Sequence, residues 1–216
     1  MTTATSAGYP AFRENRFLQG ICIATLLVLL IAAYHPDQIF DFLLENGTMF
    51  VFIAVLVCTY RLLPFSDLSY LLMFLFFCLH EWGAHYKYTD VPLGEWMKGW
   101  LHTNRNHYDR VAHFAFGVLI AYPMQELFIR KARVTGNWRY YLPVEFVLAL
   151  SATYEMLEAL MAQILSPEHT ADFVGLQGDI WDSQKDMFDA GVGALIGVLL
   201  ILLGRKLRSR KGQAIN

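Results

Sequence analysis

Charge is scarce in this sequence. Of its 216 residues, 17% are Asp, Glu, Lys or Arg and 56% are hydrophobic, with 16 Phe, whereas soluble globular domains carry roughly 25% charged residues. That balance excludes an ordinary soluble domain and describes a polytopic membrane protein. Cysteine is sparse too: Cys22, Cys58 and Cys78 all fall in apolar segments. This excludes a disulfide framework or a thiolate metal site and leaves buried thiols. The net charge is only −2, and nothing in its distribution points to nucleic acid. No small-residue cleavage site follows the first apolar run, which therefore reads as an uncleaved signal anchor.

Six apolar stretches read as membrane spans, the first of them long enough by itself to cross a bilayer. The first runs from Phe17 to Tyr34, behind Arg13 and Arg16. Asp37, Asp41 and Glu45 then form an acidic connection without Lys or Arg, and the second span covers Thr48 to Leu63. The third runs from Leu68 to Trp82, the fourth from Asp109 to Ile129 with Pro123 inside it, and the fifth from Tyr141 to Leu165. A second acidic connection, Glu168 to Asp186, leads into the sixth span, which ends near Gly204. Between spans three and four, Leu93, Trp96, Met97, Trp100 and Leu101 keep the i, i+3, i+4, i+7, i+8 pattern. With Asp90 as a cap and Pro92 in its first turn, this stretch predicts an amphipathic helix lying in the membrane interface.

The basic residues choose the orientation. Arg13 and Arg16, Arg61, the loop with Arg130, Lys131, Arg133 and Arg139, and the tail with Arg205, Lys206, Arg208, Arg210 and Lys211 fall on one side; Lys87, Lys98, Arg105, Arg110 and Lys185 fall on the other. The first set outnumbers the second and marks the cytoplasm. The expected fold is all-α: a bundle of about six transmembrane helices plus an extracytoplasmic interfacial helix, with both termini cytoplasmic. Residues 1–16 form a cytoplasmic segment, 17–204 one transmembrane domain, and 205–216 a basic cytoplasmic tail.

That topology gives each intramembrane polar residue a depth. Span three delivers His80, Glu81 and His85 to the outer boundary, and span four places Asp109 and His113 one turn apart near its outer start. Glu155 and Glu158 lie in the outer half of span five. Asp182, Asp186 and Asp189, spaced by four and three, share one face in the first turns of span six. A carboxylate at the centre of a spanning helix costs about 2.5 to 3.5 kcal/mol on insertion, so these acids need partners. Structural readings stand beside the functional ones: Asp109, Asp179 and Asp182 suit helix starts, and Asp109 at i−4 is a hydrogen-bond partner for His113. Gly193 and Gly197 suit close helix packing. The Glu155 and Glu158 pair has no terminus nearby to explain it. His80 and His85, five apart, point in different directions and do not make a zincin motif.

His80, Glu81, His85, His113, Glu155, Asp182, Asp186 and Asp189 are thus candidate ligands for a divalent metal ion. Carboxylates and imidazoles without thiolates suit Zn, Mn, Mg or Ca. Alternatively His113, Glu155, Glu158 and Asp186, with Asp109 orienting His113, could serve as general acid and base without a metal.

These motifs together resemble the YjdF-like family of bacterial inner-membrane proteins, a family of unknown function. The resemblance rests on His80-Glu81 with Gly83 and Tyr86, on Tyr108-Asp109-Arg110-x-x-His113-Phe114, on Tyr154-Glu155-x-x-Glu158, and on Gln177-Gly178-Asp179-x-Trp181-Asp182-x-Gln184-x-Asp186-Met187. A more distant pattern, in Asp109, His113, Glu155 and Asp186 before Gly193 and Gly197, is similar to VanZ-like membrane proteins. Arg110, Glu158 and Ala190 stand where that pattern has lysine, glutamine and asparagine. The expected function is a site at the outer face of the inner membrane that acts on a lipid or envelope precursor, with membrane lipids as partners. A proton- or cation-coupled transporter and a non-catalytic partner-binding membrane protein are the alternatives.

Overall fold

The computed structural model describes residues 11–164 and 177–213. Residues 1–10 of the N-terminal segment, Leu165, Glu168 and the last three residues lie outside that range. The described residues form seven α-helices and no strand: α1 Arg16–Ala32, α2 Ile39–Thr59, α3 Asp67–His85, α4 Pro92–Leu101, α5 Tyr108–Arg130, α6 Trp138–Ile164 and α7 Asp182–Gln213. Three of these, α2, α5 and α7, are long and apolar enough to cross a membrane, and α1 is a shorter apolar helix.

Local signals fix several boundaries. Asn15 caps α1 by accepting from Leu18 N at 2.9 Å, and Ser66 caps α3 by accepting from Ser69 N at 3.3 Å. Helix α4 coincides with the predicted amphipathic stretch, with Pro92 at its start. Its N-cap is Val91 rather than Asp90, which pairs with Lys87 at 3.5 Å instead. Trp96 and Trp100 stack at 6.1 Å on its outer face and are 66% and 69% exposed.

Three boundaries differ from the sequence reading. Helix α2 begins at Ile39, so Asp41 and Glu45 lie inside a helix and not in an acidic connection. Asp41, Phe42, Glu45, Asn46 and Met49 make one buried face; acids that find partners in the interior do not end a helix, whereas in sequence they imitate a loop. Helix α6 begins at Trp138, ahead of Tyr141, and α7 continues past Gly204, so the start of the basic tail is helical.

The chain alternates between two ends. At one, Asn15 donates to Asp67 at 3.1 Å, Arg130 to Pro64 O at 2.5 Å, Gln125 to Arg139 O at 2.9 Å and Arg205 to Gln125 at 2.9 Å. This is the basic end. At the other, Asp37 N donates to His85 O at 3.0 Å, and Asn106 N donates to Gln177 at 2.8 Å beside α4. The main core lies between them, around Leu18, Tyr70, Met73, Ile120, Met124, Val147 and Ala190.

Helix α5 packs most extensively on α7, and glycines make this possible. A Cβ at Gly193 would collide with Phe114 O, one at Gly197 would reach Val118 O at 2.8 Å, and one at Gly117 would meet the backbone of Ala190 and Ala194. The close-packing role read for Gly193 and Gly197 is what this geometry requires.

Candidate functional site

The α5–α7 seam ends in polar side chains at the α4 end. Oxygens of Asp109 on α5 and of Asp182 and Asp186 on α7 all lie within 4.8 Å of one another. Asp182 and Asp186 are 3% and 2% exposed. The i, i+4 spacing puts these two on one face of α7, and the glycine seam brings that face against Asp109. Asp186 Oδ1 is buried with no hydrogen-bond partner among the described residues.

Cations come from the connection and from the first turn of α5. Arg105, 9% exposed, is ion-paired with Asp182. Arg110 reaches Asp182 Oδ1 at 3.4 Å and Asp179 Oδ2 at 2.6 Å. Lys185 also meets Asp179, at 2.6 Å. The Lys185 hydrogen bond, with that of Arg110 and the Trp181 amide, holds the Asp179 carboxyl well below the usual carboxylate range. His107, just ahead of α5, is pushed down by desolvation and by Arg110 and Arg105 nearby. Asn106 locks the connection: its Nδ2 donates to Val91 O at 3.1 Å and to Glu95 at 3.0 Å, and its Oδ1 accepts from Tyr108 N at 3.1 Å. Hydrogen bonds from Lys98 and Asn106 hold Glu95 below its ordinary range.

His113 and Glu155 meet beside the three aspartates. His113 Nε2 faces Glu155 Oε1 at 3.2 Å and Asp109 Oδ1 at 3.7 Å, while Nδ1 faces Ser151 Oγ at 3.2 Å. Both nitrogens are thus oriented by α6, and both residues are buried. Glu155 also interacts with Ser183 and Glu158. Glu158, half-buried, bridges from this dyad to the lining of a cleft between α2 and α6.

The predicted ligands therefore divide. Asp109, His113, Glu155, Asp182 and Asp186 come together, with Asp189 one turn deeper on α7, near Arg110 and His113. His80, Glu81 and His85 do not join them. His80 Nδ1 meets the Tyr88 hydroxyl at 2.7 Å, Glu81 sits beside Asn46, and His85 Nδ1 meets Ala32 O at 2.8 Å. As the five-residue spacing implied, the two histidines diverge.

A second polar cluster forms around α2, and Tyr154 links it to the first. Its ring lies 6.0 Å from that of His113, edge to face, and its hydroxyl donates to Glu45 Oε2 at 2.7 Å. Glu45, Ser151 and Arg105 are the site residues that the sequence reading missed. Only the Asp41, Glu45, Met49 spacing could have revealed Glu45.

Comparison with known proteins bears on the whole chain. It is 34% identical over 176 residues to the protein described as "Inner membrane protein YjdF" of Escherichia coli (strain K12), a match covering 81% of this chain and 84% of that protein. This bears out the YjdF-like resemblance; the VanZ-like one finds no support here. No solved structure matches the chain. Residues 16–207 match the family described as "Predicted membrane protein (DUF2238)", and the chain belongs to that family of membrane proteins.

Proposed function

We propose that the protein is a six-span inner-membrane protein whose extracytoplasmic end holds a divalent cation and an acid/base dyad acting on a lipid or envelope precursor. The observation that carries this reading is the convergence of Asp109, Asp182 and Asp186 within 4.8 Å of one another, with a buried, unpartnered Asp186 oxygen among them. Five acids (Asp109, Glu155, Glu158, Asp182, Asp186) face two guanidinium groups (Arg105, Arg110), an excess of three negative charges in a poorly solvated region. Such an excess demands neutralisation. One dication and one shared proton supply it. An all-carboxylate cradle suits a hard ion such as Mg or Mn, and His113 with Glu155, already in hydrogen-bond reach, suits a general base. The basic end faces the cytoplasm on the charge distribution of the loops, which places the site and α4 outside. Spans α1, α3 and α6 join the three longer apolar helices in this topology.

Metal analysis of the detergent-purified protein tests the reading. Protein equilibrated with Mn and desalted is expected to retain about one ion per chain, and Asp186→Asn and Asp109→Asn to lose it at least tenfold. Equal retention by parent and variants would overturn the cation site. Accessibility of cysteines introduced at Gly99 and at Gly136 to an impermeant thiol reagent in intact cells tests the orientation, and labelling at Gly136 alone would reverse it.

A further inference from the structure

Helices α2 and α6 border a cleft of about 270 Å³. Leu43 and Leu44 form one wall and Leu157 and Met161 the other, with Tyr154 and Glu158 at the polar end. The cleft is open at the side, since Leu43 and Leu157 are 56% and 44% exposed. Helix α2 packs on α3 rather than on α6, and the Tyr154 to Glu45 hydrogen bond ties the two walls together. Gly47 lies at the open edge of the groove, where a Cβ would meet nothing within 4 Å and a larger side chain has room to occupy it.

We infer that this cleft is the lateral entrance by which one membrane lipid, with an uncharged, hydroxyl-bearing head, reaches the Glu155–His113 dyad. The inference rests on the proposed site and names its substrate class. An apolar groove that opens sideways from a bundle is wetted by acyl chains, not water. Its polar end carries the Glu158 carboxyl and the Tyr154 ring, and among the described residues no Lys or Arg lines it. A carboxyl accepts hydrogen bonds from hydroxyls, whereas a phosphate at this end of the groove would find no basic side chain in the lining to pair with. Nor do guanidinium groups wait for it, because Arg105 and Arg110 are engaged with Asp182 and Asp179. At the polar end of the cleft Glu158 interacts with Glu155, and the Tyr154 ring packs edge to face on His113 at 6.0 Å.

The test uses the full chain in nanodiscs of phosphatidylethanolamine and phosphatidylglycerol, with a diacylglycerol carrying a photoreactive acyl chain as probe. Label is expected on Leu43, Leu44, Leu157 and Met161, competed by unlabelled diacylglycerol and not by phosphatidate. Gly47→Phe, which fills the groove, is expected to cut that labelling at least fivefold. Gly20→Phe, at an equally open position on α1, is expected to leave it unchanged. Label spread evenly over the outer face of α2, at Val51 and Val55 as much as at Leu43, would overturn the inference. So would equal competition by phosphatidate, or Gly47→Phe labelling like the parent. Mn retention separates the two readings: retained ion with non-specific labelling sinks the entrance alone, and specific labelling without ion sinks the cation site alone.

Discussion

Replacing Gly193 by alanine adds one methyl group where two helices touch. That methyl would collide with Phe114 O, and the next atoms it meets, Phe114 C and Val118 N, are also backbone. No side chain can turn aside to make room, so α5 and α7 must separate. Overpacking of this kind costs typically about 1 to 3 kcal/mol, and alanine returns up to about 1 kcal/mol in helix propensity. A net loss of about 1 to 2 kcal/mol is expected, which for a chain of this size lowers Tm by about 2 to 8 °C. The damage should travel. Asp186 lies two turns from Gly193 on α7, about 10 Å along the axis, and its cluster straddles the same seam. Mn retention should therefore fall although no ligand has changed. Thermal unfolding followed by circular dichroism in detergent, with Gly20→Ala as control, gives the answer. The reasoning is refuted if Gly193→Ala melts within 1 °C of the parent, or if Gly20→Ala, whose methyl meets nothing, falls equally far.

Two further outcomes follow from the same geometry. Arg105→Met strands a buried Asp182 and should destabilise the protein by about 3 kcal/mol, the low end for a broken buried pair, because Arg110 remains at 3.4 Å; adding Asp182→Leu should restore most of that, as chemical unfolding in mixed micelles would read. His107 is held below its ordinary value in the folded protein, so its contribution is complete above the unfolded value of about 6.5 and is lost as pH falls through the folded one. Melting curves between about pH 7.5 and pH 5.5 should decline for the parent and flatten for His107→Gln.

Much of this was legible from spacing and charge. The amphipathic stripe located α4 with its boundaries, and the GxxxG pair announced close packing on α7, though not that α5 is the partner. Within the site, Asp109 and His113 at i, i+4 and Asp182 and Asp186 at i, i+4 could be placed on common faces, because one helix supplies each pair. What could not be read was contact between helices. Ser151 is an unremarked serine in an apolar run until α6 is seen to face His113. Arg105 belongs to a polar connection whose path is set by Asn106, which no local pattern specifies. Glu45 was read as part of a loop because charge before an apolar run usually marks the boundary of a span; its hydrogen bond to Tyr154 crosses 109 positions of sequence.

The stacked indoles of α4 have a mechanical consequence. Trp96 and Trp100 face outward, and paired indoles settle at the level of the lipid headgroups. Helix α4 is in turn fastened through Val91 and Glu95 to Asn106, just ahead of α5. In the proposed topology the tryptophans act as a float, and the aspartates hang from it at a constant depth. In a thinner or thicker bilayer the mismatch would then be displaced to the arginine-rich end, and the acidic cluster would keep its station beneath the lipid surface.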